Sequence, residues 1–270
     1  MPTNVGAPPG EWLRHHGDVD AEPGLLDFAV NVALPRPPSW LRDVLVDGID
    51  RLAAYPSSAA DLAARTAVAD RHGRRVDEVL VLAGAAEGFA LLPNLTPKLA
   101  AVVHPSFTEP EVALRTAGVP VHRVLLRADD GFRLRTDDVP AAADLVVLGN
   151  PTNPTSVLHP ADVITALARP GRVLVVDEAF ADTVSGEPQS VASQRIHGVI
   201  VLRSLTKTFA LAGLRAGYAL GAPPLLRRLA VTRPHWPVSS LVLAAVRACN
   251  QPNAIAETLA LARKIADDRR

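Results

Sequence analysis

The sequence has a single cysteine, Cys249, and no long apolar run among its 270 residues. One cysteine excludes an internal disulfide and a cysteine-rich zinc site. No run approaches the roughly 20 apolar residues that a membrane-spanning helix needs. The first ten residues have neither the basic start nor the apolar centre of a signal peptide. We therefore expect a soluble, cytoplasmic protein with no membrane partner.

An excess of charge of one sign is also missing, since 28 lysines and arginines balance 28 aspartates and glutamates. A balanced chain has no global field that attracts nucleic acid, so we expect no nucleic-acid partner. The signatures of nucleotide loops, zinc proteases and serine hydrolases (GxGxxG, GxxxxGK, HExxH and GxSxG) do not occur. We expect no metal ion.

Short apolar runs alternate with amphipathic segments along most of the chain. We predict strands at 79–82, 100–103, 119–126, 145–148, 173–176 and 199–202, with helices at 41–54, 84–92, 108–117 and 161–168. A further helix, capped by Ser57 or Ser58, ends at Gly73. Thr108 and Glu111 have the spacing of a capping box. Apolar strands that alternate with helices are typical of a mainly parallel sheet between two helical layers, so the predicted fold class is α/β.

Composition divides the chain into three parts. Residues 1–40 are rich in proline and glycine and predict an N-terminal arm with one short strand at 26–31. Residues 41–222 hold the alternating pattern and should form the large domain. Residues 223–270 are helical, and we expect them to begin a smaller C-terminal domain that is incomplete.

Lys207 lies in a small polar loop just after the predicted strand at 199–202. Ser204 and Thr206 flank it, and Arg215 follows eight positions later. An amine that is held by its loop and partly desolvated can attack an aldehyde. Two hydroxyls and a guanidinium can hold a dianion. An aldehyde that carries a phosphate describes pyridoxal phosphate, although the loop taken alone favours a solvated surface lysine.

Four further groups of residues follow predicted strands, and ligands of an open parallel sheet bind at the carboxyl ends of its strands. The segment 84–86, Gly-Ala-Ala, either opens a helix whose amides could bind phosphate or makes a plain tight turn. Asp177 is either a buried carboxylate, which needs a cationic partner, or a residue that caps a helix. Asn153 could donate a hydrogen bond to a phenolate oxygen, or it could be an ordinary turn residue. Phe107 could stack on an aromatic ring of a ligand, or it could belong to the hydrophobic core. Their convergence with Lys207 on one crevice favours ligand binding.

Taken in order, these motifs resemble the fold-type-I, pyridoxal-phosphate-dependent class I and II aminotransferase family, from about residue 27 to the end. The resemblance is carried by Tyr55-Pro56, Gly84-Ala-Ala-Glu87, Pro105-Ser-Phe-Thr-Glu109, Asn150-Pro-Thr-Asn-Pro-Thr155, Asp177-Glu-Ala-Phe180 and Ser204-Leu-Thr-Lys207 with Arg215. Within the family, the sequence is most similar to histidinol-phosphate aminotransferases and to the threonine-phosphate decarboxylases of cobalamin synthesis. The resemblance implies an aspartate aminotransferase-like fold with pyridoxal phosphate as cofactor.

The resemblance also implies a role for each cofactor-binding residue. Lys207 forms the Schiff base with the cofactor and then shuttles a proton at the substrate α-carbon, while Asp177 pairs with the ring nitrogen. Asn153 holds the ring oxygen, and Phe107 stacks on the ring. Five residues hold the phosphate, namely Ala85, Ala86, Ser204, Thr206 and Arg215.

Three more residues receive an implied role at the substrate or in a partner subunit. Tyr55, by its position alone a surface-turn residue, is implied to reach the cofactor phosphate of a neighbouring subunit, which predicts a homodimer with shared sites. Asn31 and His16 match segments that approach the substrate, although the arm histidines His15 and His16 are by composition alone solvated residues.

The sequence departs from the family pattern in three places. Phe180 stands where the aminotransferases usually have tyrosine, and phenylalanine is the form associated with the decarboxylases; Ser156 stands where glycine is usual. The resemblance implies that the arginine which binds the substrate carboxylate belongs to a C-terminal small domain, and we expect this domain to be missing from the sequence. We expect a transaminase that acts on a small phosphorylated amino compound. The alternatives are a decarboxylase of L-threonine O-3-phosphate and a truncated scaffold without activity.

Overall fold

The computed structural model describes residues 11–20, 24 and 31–269, and a seven-stranded sheet forms the centre of this part of the chain. The order across the sheet is β1-β7-β6-β5-β4-β2-β3, and β7 runs antiparallel to both of its neighbours. All six predicted strands are confirmed. The strands are β1 Val79–Leu82, β2 Ala100–His104, β3 Val121–Leu125, β4 Leu145–Gly149, β5 Val173–Asp177, β6 Val199–Ser204 and β7 Gly217–Gly221.

The predicted α/β class with a mainly parallel sheet is confirmed. The strands β3, β2, β4, β5 and β6 pair in parallel in that spatial order. Their carboxyl ends therefore meet at one edge, where Gly149, Asp177 and Leu202 lie side by side in register. The short strand predicted at 26–31 falls almost entirely on residues 25–30, which lie outside the described residues.

The strand β7 is not predicted by the sequence pattern, because glycine stands at both of its ends and weakens a strand pattern. The structure shows why Gly217 is needed. A Cβ atom on Gly217 would lie 2.6 Å from the carbonyl oxygen of Arg203 and 3.0 Å from the amide nitrogen of Ala85. Since the backbone approaches Gly217 from both sides, this position has no room for a side chain. Residues 205–216 form the loop of the hairpin between β6 and β7.

Helices cover both faces of the sheet. One buried cluster joins side chains of α1, α2, α5 and α7 to one face, and a second joins α3, α4 and α6 to the other. No helix in the described part is both long and apolar enough to cross a membrane. The helices are α1 Ser39–Ile49, α2 Ser58–His72, α3 Ala85–Ala90, α4 Glu109–Thr116, α5 Ala161–Ala166, α6 Pro223–Leu229, α7 Ser240–Cys249 and α8 Pro252–Asp268.

One of the two predicted helix caps is confirmed and the other is wrong. Ser57 accepts a hydrogen bond from the amide of Ala60 at 3.1 Å and caps α2, which ends at Gly73. Thr108 does stand at the start of α4, but its hydroxyl donates to the carbonyl oxygen of Leu13 at 2.6 Å. Glu111 is fully buried and bound by arginines, which are stronger partners for a carboxylate than a backbone amide.

The helices after residue 222 pack on the rest of the molecule. Helix α7 lies against α1 and α2, and the Trp40 Nε1 atom of α1 donates to Glu257 Oε2 of α8 at 2.8 Å. The division of the chain at residues 40 and 222 stays a prediction.

An ion-pair network lies buried beneath the carboxyl ends of β5 and β6. Arg203, 1% exposed, contacts Glu178 Oε2 at 3.0 Å, Glu187 Oε2 at 2.6 Å and the carboxylate of Asp182. Arg71 Nη2 contacts Asp182 Oδ1 at 2.6 Å. Burial disfavours the charged form of Asp182, but the two arginines outweigh it and lower the pKa of that carboxyl. The network fixes the segment that directly follows Asp177.

Replacing Arg203 with methionine is expected to lower the free energy of unfolding by about 3–5 kcal/mol, because three buried or half-buried carboxylates lose their shared cation. Urea denaturation measures this loss. Arg75→Met is the matched control, since Arg75 pairs with Asp77 on the surface at 2.9 Å and should be nearly silent. Equal unfolding midpoints for the two variants would contradict the prediction.

Candidate active site

The sheet edge at the carboxyl ends of β2, β4, β5 and β6 opens into a cavity that also meets the first turn of α3. Lys207, Asp177 and Asn153 all line it, as the strand-end argument predicts. The structure brings together nine of the twelve predicted site residues here: Ala85, Ala86, Phe107, Asn153, Asp177, Ser204, Thr206, Lys207 and Arg215.

Lys207 is held on the cavity wall by the backbone of its loop. The amide of Leu205 donates to the carbonyl oxygen of Ala216 at 3.0 Å and closes the hairpin. The carbonyl oxygen of Lys207 accepts from the amide of Ala33 at 2.8 Å, which brings the segment after Asn31 to the same loop. The Lys207 Nζ atom lies 5.8 Å from the centre of the Phe180 ring. The amine therefore faces a partly apolar wall.

Asp177 ends β5 at the floor of the cavity. The amide of Ala179 donates to its Oδ1 at 3.1 Å. The pKa of Asp177 is raised to about 7, mainly by burial and in smaller part by neighbouring Glu178, while that amide and Lys207 oppose the rise. A buried carboxyl of this kind gains most from a bound cation, so it fits the protonated ring nitrogen of pyridoxal phosphate.

One end of the cavity is lined by hydrogen-bond donors. Arg215 lies close to the Gly84 backbone, so that a Cβ atom on Gly84 would be 3.0 Å from Arg215 Nη2. Ser204 Oγ accepts from the amide of Thr206 at 3.2 Å and so keeps its own hydrogen to donate. The amides of Ala85 and Ala86 open a helix and have no partner within it. Such donors fit a phosphate dianion.

Aromatic rings form the side wall. Phe107 stands between Phe89, with ring centres 6.0 Å apart, and His16, whose ring stacks on it at 5.2 Å with an interplanar angle of 27°. His16 Nε2 also lies 2.8 Å from Glu109 Oε1. The arm histidine is therefore packed beside the cavity wall, while its side chain stays 36% exposed.

A second cavity adjoins the first and shares Asn153 and Phe180 with it. Asn31 lines this second cavity, together with Ser156 and Arg269. Sequence reasoning singles out no arginine at this cavity, because the position of Arg269 depends on how α8 packs against residues 181–183, which follow β5.

Tyr55 lies away from both cavities and is 75% exposed. Its ring stacks on that of Trp236, with centres 4.2 Å apart.

Ser106, in contrast, lines the first cavity although the sequence argument gives it no role. Its position inside the segment Pro105-Ser-Phe-Thr-Glu109 is the signal that could have identified it. Among the described residues, no group of three or more His, Cys, Asp or Glu side chains could hold a metal ion.

Comparison of the sequence with known proteins gives a consistent result. Residues 25–270 match the family described as aminotransferase class I and II. A histidinol-phosphate aminotransferase of Mycobacterium tuberculosis is 58% identical over 247 residues, which are 92% of this chain and 67% of that protein. Threonine-phosphate decarboxylase of Salmonella typhimurium is 32% identical over 243 residues, which are 85% of this chain and 66% of that protein. The chain thus spans about two thirds of the length of these relatives.

Solved structures with the same fold include aminotransferases and a decarboxylase. Histidinol-phosphate aminotransferase from Sinorhizobium meliloti, in complex with pyridoxal-5'-phosphate, superposes with a TM-score of 0.78 at 21% identity and covers 89% of this chain and 67% of that one. L-Threonine-O-3-phosphate decarboxylase from Porphyromonas gingivalis gives 0.74 at 20% identity, over 86% and 70% of the two chains. Aspartate aminotransferase from Thermus thermophilus gives 0.76 at 21% identity, over 87% and 68%. These likenesses confirm the aspartate aminotransferase-like fold.

Proposed function

This chain belongs to the class I and II aminotransferases, the pyridoxal-phosphate-dependent family, and we propose that it transfers the amino group of a small phosphorylated amino compound such as histidinol phosphate. The observation that carries the proposal is the placement of Lys207 and Asp177 in one cavity whose far end is lined by donors for a phosphate. Pyridoxal phosphate, when bound, supplies the electron sink that transamination needs.

The cavity residues divide the work of holding and orienting the cofactor. Arg215, Ser204, Thr206 and the amides of Ala85 and Ala86 hold the phosphate. The other residues act on the cofactor ring. Asp177 keeps a proton on the ring nitrogen, Asn153 donates to the ring oxygen, and Phe107 covers one face and excludes water. Lys207 attaches the cofactor through its Nζ atom and afterwards moves the proton at the substrate α-carbon.

The substrate enters on the side of the second cavity. Asn31 and Ser156 line this cavity, and the ring of His16 stacks on Phe107. These positions support the proposal that Asn31 and His16 approach the substrate. We also propose a homodimer in which Tyr55 reaches the phosphate of the neighbouring site. Its high exposure, and the fact that it does not line the cavity of its own chain, support this role.

Product analysis tests the proposed reaction. The purified protein is loaded with pyridoxal phosphate and incubated with histidinol phosphate and 2-oxoglutarate. Formation of glutamate that depends on 2-oxoglutarate is the expected result. The absence of glutamate with this and other phosphorylated amino donors would contradict transamination.

A second candidate reaction is the decarboxylation of L-threonine O-3-phosphate. Phe180 supports it, because this residue lines the cavity beside Lys207 where aminotransferases usually have a tyrosine, and the 32% identical relative from Salmonella typhimurium is named for that reaction. Carbon dioxide release from this substrate without an amino acceptor would favour the decarboxylase.

Gly84→Ala is expected to raise the dissociation constant of pyridoxal phosphate about 3- to 10-fold, because the added methyl group would lie 3.0 Å from Arg215 Nη2 and shift the guanidinium at the phosphate end. Gly73→Ala is the control. Both glycines have positive φ, at 78° and 60°, but a Cβ atom on Gly73 meets nothing within 4 Å. Both variants should lose about 1–3 kcal/mol of stability. Absorbance titration should show weakened cofactor binding for Gly84→Ala alone, and equal constants would contradict the phosphate assignment.

A further inference from the structure

The second cavity has a net positive charge. Of the described residues that line it, Arg269 alone is charged, and no carboxylate is among them. The guanidinium of an arginine stays protonated throughout the pH range in which enzymes work. A cavity with this lining attracts an anionic group and disfavours a cationic one.

Arg269 reaches the cavity from the C-terminal end of α8. Ile265 and Arg269 are four residues apart, so they lie on the same face of the helix, and both line the cavity. That helix packs against residues 181–183, which follow β5. The neighbouring carboxylate of Asp268 has its own partner, Lys264, at 3.1 Å. The packing of α8 therefore places the guanidinium at the cavity.

Ser156 and Asn31 bring neutral hydrogen-bond donors to the same cavity. The backbone of Ser156 has a φ of 58°, in the left-handed region that favours glycine. The position therefore carries a hydroxyl where a residue without a side chain would be less strained. A hydroxyl and an amide beside a guanidinium form a set of donors that suits the oxygens of a phosphate.

The cofactor does not account for this second cation. Pyridoxal phosphate carries one phosphate, and Arg215 lines the first cavity at the end that suits it. Arg269 lines only the second cavity, which adjoins the first at Asn153 and Phe180. A molecule whose amine lies at Lys207 can therefore extend an anionic group past these two residues toward Arg269.

We propose that Arg269, assisted by Ser156, binds the phosphate of the substrate and makes the enzyme prefer phosphorylated amino donors to their unphosphorylated forms. The inference rests on the proposed function and adds the orientation of the substrate, with its amine at Lys207 and its phosphate in the second cavity. Histidinol phosphate has no carboxylate, so its phosphate is the anionic group that Arg269 would meet.

Kinetics of the cofactor-loaded enzyme with a pair of ligands test this assignment. The measured quantities are KM for histidinol phosphate and the inhibition constant of histidinol, which lacks only the phosphate. Arg269→Met should raise KM about 10-fold, the size of effect that the loss of a charge-assisted contact at an exposed site produces, and should leave the inhibition constant within about 2-fold. An unchanged KM, or equal effects on both ligands, would overturn the phosphate contact.

Two variants of the same helix provide controls. Arg263→Met removes an exposed arginine of α8 that lines neither cavity, so KM should stay at the wild-type value. Arg269→Lys keeps the charge but loses the two-pronged geometry, and its KM should lie between those of the wild type and Arg269→Met. A rise in KM for Arg263→Met as large as that for Arg269→Met would mean that general charge, and not a contact, is responsible.

Ser156→Gly separates the hydroxyl from the fold. The substitution removes the hydroxyl and relieves the positive φ, so KM for histidinol phosphate should rise about 3- to 10-fold while the thermal midpoint stays the same or rises. An unchanged KM would remove Ser156 from the proposed phosphate site.

A direct binding measurement distinguishes failure of this inference from failure of the proposed function. A wild-type protein that turns over no phosphorylated donor contradicts the proposed function. Calorimetric titration of the cofactor-loaded protein with histidinol phosphate then decides the inference, because binding needs no turnover. Binding about 10-fold weaker in Arg269→Met supports it. Equal dissociation constants, or no binding to the wild type, would overturn it.

Discussion

Lys207→Ala is expected to lower turnover by at least about 10²- to 10⁴-fold, the range that a positioned acid–base group contributes. Lys207 is the amine that lines the same cavity as Asp177 and the donors of the phosphate end. The substitution removes the Nζ atom, to which we assign both the attachment of the cofactor and the movement of the proton at the substrate α-carbon. The phosphate end stays intact, so cofactor can still be retained.

Absorbance and chemical labelling separate these effects. Borohydride reduction of the wild-type protein with pyridoxal phosphate should place a covalent label on one peptide. The sequence has three lysines, Lys98, Lys207 and Lys264, so mass mapping identifies the site without ambiguity. Lys264→Ala is the control, because Lys264 is exposed and pairs with Asp268 at 3.1 Å. Full activity of Lys207→Ala, or a label elsewhere, would contradict the assignment.

Asp177→Asn is expected to keep cofactor binding and to lose turnover by about 10²- to 10³-fold, the size of effect found when one preorganised electrostatic partner is removed. The amide has the same shape as the carboxylate but no charge, so it does not hold a proton on the ring nitrogen. The dissociation constant of pyridoxal phosphate and kcat, measured on the same sample, test both parts. An unchanged kcat would show that Asp177 has no part in the reaction.

The stability of the cofactor-free protein gives an independent test of Asp177. Its pKa rises from 3.8 to about 7 on folding, so the folded state binds more protons than the unfolded state between these values. The free energy of unfolding should therefore fall as pH rises from about 4 to 7, and Asp177→Asn should remove this contribution. Asp129→Asn, which changes an exposed partner of Arg127, should leave it in place. A slope that survives in Asp177→Asn would contradict the burial argument.

Much of the candidate site is predictable because its residues follow apolar strands. Asp177 and Asn153 come after buried strands of a parallel sheet, and Lys207 follows β6, so the topology alone brings them to one edge. The order of the strands in the sheet supplies this geometry, so no contact between distant residues has to be predicted separately.

The features that were not predicted depend on partners distant in the chain. The capping box of Thr108 and Glu111 fails because Arg123, twelve residues beyond Glu111, is a better partner for the carboxylate. Strand β7 is not predicted because a glycine such as Gly217 is typical of loops. Only the structure shows that the Arg203 backbone lies against it and leaves no room for a side chain.

The antiparallel return of the chain through β7 has a consequence for insertions and deletions. Lys207 and Arg215 lie on one hairpin loop, whose ends are fixed by the pairing of Ser204 with Gly217. The spacing between the amine and the guanidinium is therefore set by the number of residues in that loop. Surface loops usually tolerate changes of length. We expect a single residue inserted between these two to leave the sheet intact and yet to change the distance between the two groups to which we assign opposite ends of the cofactor.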